Sequence, residues 1–84
     1  MMPLYMDVHH RVDGLTGEAV AGAHKKDLEI QAKHGVRYLK YWYDTDSGTV
    51  FCLVRAPSSD AATAVHREAH GLVADELVEV QEGA

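Results

Sequence analysis

VRYLKYWYDTDSGTVFCLVRAP, residues 36–57, decides how this chain is put together. Two runs rich in aromatic and β-branched side chains, Val36 to Tyr43 and Thr49 to Arg55, flank the polar segment DTDSG. Such side chains favour pleated backbone, and Asp, Ser and Gly favour the turn between, so the stretch predicts a β-hairpin. Pro57 breaks the second strand because it has no amide hydrogen to give to a ladder. Ser58 or Ser59 then caps a helix, its hydroxyl taking an otherwise orphaned amide, and Gly71 ends it.

The chain on the other side of the hairpin mirrors this plan. Gly35 stands where a glycine cap closes a helix running to about His34, and Thr16 is the N-cap, with Glu18 in the first turn where the helix dipole favours an anion. Arg11 to Gly17, with Asp13 and two glycines, reads as a loop. Leu4 to His10 alternates, with Leu4, Met6 and Val8 on one face and Tyr5, Asp7 and His9 on the other, which is the two-residue period of a strand. The tail, Glu76 to Glu82, alternates again, with Val78 and Val80 together. The order is strand, helix, strand, strand, helix, strand. It predicts one α+β domain over residues 1–84 of ferredoxin-like type (βαββαβ), a four-stranded antiparallel sheet with two helices on one face.

The sheet's second face is expected to be apolar too. VFCLV (50–54) is apolar on both sides, and Tyr38, Tyr41, Trp42 and Tyr43 spread over both faces of the preceding strand. Helices cover only one side, and a patch of that size exceeds what soluble monomers usually expose. A second copy, packed sheet to sheet about a two-fold axis, is the simplest cover. Dimerisation also helps a chain of 84 residues, whose single core is only marginally stable alone.

A net charge of −5 with eight scattered basic residues argues against a nucleic-acid partner. Cys52 is the sole cysteine, so neither an intrachain disulfide nor a thiolate cluster forms within one chain. MMPLYMDVHH lacks the apolar run of a signal peptide, and no segment has the length to cross a bilayer, so a reduced, cytoplasmic setting is expected, without a membrane partner.

Six histidines remain to be explained, and no terminal run accounts for them. In HREAH, residues 66–70, His66 and His70 stand four apart and can reach one ion from one helix face. His66 lies at the border of a stripe formed by Ala61, Val65, Ala69 and Leu72, and His70 lies further towards solvent. Arg67 follows the first histidine and Glu68 points elsewhere, so this is not the metalloprotease helix H-E-x-x-H. Neutral imidazole suits nickel, copper or zinc, but two ligands are too few for a site, and two wet histidines would look the same. Asp7, His9 and His10 end the first strand, which this fold makes central. Asp7 and His9 are expected on the dimer face and His10 towards the helices or loop, with Asp13 a weaker candidate. Adding carboxylate to imidazole favours a hard or borderline divalent ion.

The first helix carries His24, Asp27 and Gln31 near the middle of an apolar arc of Ala19, Val20, Ala23, Leu28 and Ile30. Polar groups there need partners, and a hydrogen-bonded group of the three, joined by a tyrosine, or the floor of a small pocket would serve. His34 suits the helix C-terminus, and Cys52 reads as a small buried hydrophobe.

HREAHGLVADE (66–76), LYMDVHHRVDGLT and VFCLVRAP together resemble a family of small actinobacterial nickel-binding proteins of ferredoxin-like fold, over nearly the whole chain. The resemblance implies a homodimer, nickel held at its surface by histidine and acidic side chains, and a role in nickel sequestration or tolerance. In this sequence the matching donors are Asp7, His9, His10, His66 and His70. The leading expectation is thus a Ni(II)-binding protein and not an enzyme, with zinc or copper as chemically similar ions. The alternative is a small-molecule oxygenase or isomerase with a pocket around His24, Asp27 and Gln31, under Tyr38 or Tyr41 and Trp42. An assembly module with incidental histidines is the third reading.

Overall fold

A computed structural model describes residues 2–83. β1 (Leu4–His9) leads to α1 (Gly17–Ile30), a 3-10 turn (Gln31–His34), the hairpin strands β2 (Arg37–Asp44) and β3 (Thr49–Arg55), α2 (Ser59–Ala69) and β4 (Glu76–Val80). The strands form one sheet in the order β2-β3-β1-β4, antiparallel at each pairing. This is the expected ferredoxin-like α+β plan, with β1 and β3 at the centre.

Local chemistry sets the boundaries. Thr16 Oγ1 accepts from the Ala19 amide at 3.0 Å, and Ser58 Oγ accepts from the Ala61 amide at 3.2 Å. Each satisfies a first-turn donor that the helix cannot. α1 tightens into the 3-10 turn at Gln31 and stops at Gly35, whose φ of 67° is left-handed. Gly48, at φ 72°, closes the hairpin. Its carbonyl accepts from the Val12 amide at 2.9 Å, which ties the loop after β1 to the hairpin end. A Cβ at Gly48 would stand 3.2 Å from that amide nitrogen, so a larger residue would push the loop away.

Between helices and sheet lies a small apolar core of Val20, Val36, Val50, Val54, Ala62 and Val65 with Tyr38 and Cys52. The buried stripe of α2 is Ala62, Val65 and His66, one position round from the stripe expected of Ala61, Ala69 and Leu72; Leu72 lies beyond the helix and is 53% exposed. His66 therefore sits in the middle of the buried face. On α1 only Val20 and Asp27 are buried, and Leu28 faces solvent.

The register fixes which strand residues face the helices. Asp7 pairs with Cys52 and His9 with Val50, and all four are buried. This reverses the expected orientation: Asp7 and His9 point into the helix–sheet layer, while Val8, Met6, Phe51, Trp42 and Val78 share the opposite face. Polarity alone misassigns β1 because its polar residues bond inside the protein and its apolar ones lie on the helix-free side. There Trp42 is 48% exposed, Phe51 37% and Val78 53%. No helix among the described residues is long and apolar enough to cross a membrane.

Candidate metal centre

His66 is the hub of a buried polar chain. Its Nδ1 donates to Asp27 Oδ1 and its Nε2 to Asp7 Oδ2, both at 2.9 Å. The ring is 2% exposed and Asp7 and Asp27 are 1% and 2% exposed. A neutral imidazole has one N–H; with a carboxylate at each nitrogen the ring carries both protons. Burial alone would lower its pKa, but the hydrogen bonds and charges of Asp27 and Asp7 override this and push it up to about 9. Burial likewise raises Asp7, yet the bond from His66 and the close approach of the His66 and His9 rings hold its carboxyl down at about 2. Asp27 follows the same logic: burial opposes ionisation, while the bonds from His66 and His70 outweigh it and lower its pKa.

The sheet supplies the remaining groups. Tyr38 stacks on the His66 ring at 4.6 Å and directs its hydroxyl between Asp7 Oδ2, at 3.2 Å, and the Ala62 carbonyl, at 3.1 Å. Burial, reinforced by both aspartates, pushes its pKa up, so it stays a phenol and a donor. His9 places Nε2 3.3 Å from Asp7 Oδ1. That oxygen is buried, and although His9 lies within ion-pair distance, no donor is aligned to give it a hydrogen bond. An unpaired buried carboxylate oxygen is costly, so it requires a chemical reason. Cys52 is opposite Asp7 in the register, and burial together with the Asp7 charge pushes its thiol up.

His70 joins from the end of α2. It is the C-cap, with φ −149°, so its side chain leaves the helical spiral that would carry it to solvent. Gly71, at φ 80°, turns the chain, and its amide donates back to the His66 carbonyl at 2.9 Å. His70 Nε2 lies 3.1 Å from Asp27 Oδ1, and its Nδ1 accepts from the Leu72 amide at 3.1 Å.

Two overlapping donor sets result, each with atoms within 4.8 Å of one another: Asp7, His9, Cys52 and His66, and Asp27, His66 and His70. Imidazole nitrogen, carboxylate oxygen and thiol sulfur are the donors of a borderline divalent ion, and Asp7 Oδ1 is already aimed at the first set without a partner, so these residues fit a metal. Four of the five expected donors thus meet in one buried region. His10 does not. Its amide donates to Asp75 Oδ2 at 2.6 Å and its ring meets Glu76 at the exposed sheet edge. Arg11, at φ 50°, turns the chain away just after it, and Asp13 lines the space nearby without bonding to the cluster.

Asp27 and Cys52 are members that spacing did not assign to the metal. A carboxylate in the apolar arc of α1 was the available signal for Asp27. VFCLV carries no such signal for Cys52; only strand register brings it to Asp7. The group expected of His24, Asp27 and Gln31 separates instead: Gln31 Oε1 accepts from the Tyr38 amide at 2.8 Å, and His24 packs on Tyr41 at 4.8 Å. Trp42 lies on the opposite face of the sheet. His34 reaches Glu68 at 3.3 Å, beside Lys33.

Residues 5–80 match the family model described as nickel responsive protein SCO4226-like. The fold superposes on the crystal structure of SCO4226 from Streptomyces coelicolor A3(2) with a TM-score of 0.90 and 38% identity, over 96% of this chain and 99% of that one. No curated protein matches. This chain belongs to the SCO4226-like family of nickel responsive proteins.

Proposed function

We propose that this protein binds Ni(II) as its cargo through the buried cluster and serves nickel sequestration or tolerance. The observation that carries this reading is the unpartnered Asp7 Oδ1, buried beside His9 and within reach of Cys52 and His66. The family's description as nickel responsive supports the choice of ion. Asp7 and His9 are the anchoring ligands, with His66, His70, Asp27 and Cys52 available to complete the shell. His66 has no lone pair while both nitrogens hold protons against carboxylates, so it ligates only after losing one of them. The ion then takes the proton's place and keeps the two aspartates neutralised.

The working form is a homodimer, built by packing the faces that carry Trp42, Phe51 and Val78 against each other. His10, with Glu76 and Asp75, forms a separate surface donor group of lower affinity. The setting is cytoplasmic.

Nickel titration of metal-free protein by calorimetry tests the assignment. Asp7→Asn, which keeps the shape of the side chain, and His9→Ala are each expected to weaken nickel binding at least about tenfold. His10→Ala should leave the tight phase unchanged. Full-strength binding by both Asp7→Asn and His9→Ala would overturn the buried site.

A further inference from the structure

Beside the polar chain, under the loop after β1 and against α1, lies a cavity of about 140 Å³. An apolar protein cavity of about 150 Å³ holds one benzene-sized ring. Its wall is mostly apolar, with Val12, Leu15, Ala23 and Val50 among its members. Its polar edge comes from His9, Asp13, His24, Asp27, His66 and His70, with the Cys52 thiol beside them.

Most of that edge is already committed. Asp27 Oδ1 takes bonds from His66 and His70, and the other nitrogen of His70 holds the Leu72 amide. His24 stands apart from this chain: its half-buried ring is tilted against Tyr41, and among the described residues neither of its nitrogens has a hydrogen-bond partner. Burial lowers its pKa, with the His66 charge assisting and the Asp27 charge opposing, so near neutral pH it offers one donor and one acceptor. The local charge decides the sign of the ligand. Asp7 and Asp27 outnumber the single cation on His66, and Asp13 also lines the space. A carboxylate or phosphate would enter against that charge, and a neutral molecule would not.

We propose that this cavity binds a neutral six-membered aromatic ring carrying a hydroxyl group, with the ring among Val12, Leu15 and Val50 and the hydroxyl on His24. The cavity shares a wall with the proposed nickel donors, since His9, Asp27, Cys52, His66 and His70 also line it, but His24 and Tyr41, on which this proposal turns, belong to neither donor set. Phenol is the probe, titrated into the full-length, metal-free protein with a chelator present and followed by amide and side-chain NMR shifts.

The expected result is saturable binding, with shifts centred on Ala23, His24 and Val50. Benzoate should bind at least tenfold more weakly. His24→Leu should weaken phenol about tenfold while leaving benzene binding within twofold, a split that a merely structural role for His24 would not give. Ala23→Leu, which fills the space, should abolish binding of both rings. Failure of phenol to saturate, benzoate binding as tightly as phenol, or shifts mapping to the Trp42 and Phe51 face would overturn the proposal. Nickel titration of ring-free His24→Leu, a change outside both donor sets, reports separately on the donors that share the wall.

Discussion

The helix-covered face of this sheet holds charge inside its apolar core, and the helix-free face leaves apolar groups uncovered. The helix-covered face buries two carboxylates and a charged imidazole, while the helix-free face carries Trp42, Phe51, Val8, Met6 and Val78. Both arrangements obey one rule, that each surface needs the partner its chemistry demands. Asp7 and Asp27 are tolerated inside because His66 stands between them with a proton for each. The opposite face carries Lys40 and Glu76 beside its exposed apolar side chains, and those apolar groups call for cover. Burial, then, follows from what a group is paired with more than from its own polarity.

Removing the cation breaks this contrast most severely. His66→Ala leaves two buried carboxylates facing each other across a cavity, and a destabilisation of about 3–5 kcal/mol is expected in chemical denaturation of the metal-free protein. An equal loss from Arg67→Ala, on the exposed side of the same helix, would show that helix propensity and not charge pairing sets the effect.

Proton concentration probes the same chain without a mutation. The folded value of His66, about 9, lies above its ordinary 6.5. Its stabilisation is therefore complete below pH 6.5 and is lost as pH rises through 9, a change on the order of 3 kcal/mol. Asp7, held at about 2 against an ordinary 3.8, contributes above pH 3.8 and loses that share as pH falls through 2. Metal-free stability should thus peak between pH 3.8 and 6.5. A flat profile from pH 6 to pH 9 would contradict the doubly bonded imidazolium.

The opposite face should answer to charge rather than to pH. If the proposed dimer packs through this face, the unaltered chain should sediment as two copies and Trp42→Glu or Phe51→Lys as one in analytical ultracentrifugation. The isolated protomer should change in stability by less than about 1 kcal/mol, since both side chains are substantially exposed within it. A one-copy mass for the unaltered chain, or a two-copy mass that survives both substitutions, would overturn the proposed sheet-to-sheet dimer.

Much of the fold was legible because its signals are local. Thr16, Ser58, Gly35 and the DTDSG turn act through hydrogen bonds and dihedral preferences within a few residues, and the elements fall where those residues put them. The histidines and Asp7 were recognisable as donors by type. Their directions were harder to read. The polar side of β1 was expected to face away from the helices, whereas its bonds to His66 turn it inward. His70 escaped the helical wheel because the helix ends one residue before it.

The sequence by itself determined the element order, the caps and which residues carry donor atoms, since these depend on neighbours along the chain. Only the tertiary structure decided that Asp7, Asp27, Cys52 and His66 meet, that His10 stays outside, and that Asp7 retains an unpartnered oxygen. The reason is physical: a buried charge is stable only beside its counter-charge, and its partners here are 20, 39 and 59 residues apart along the chain (7 to 27, 27 to 66 and 7 to 66). Strand register and helix packing set those distances, and neither is written in any local pattern.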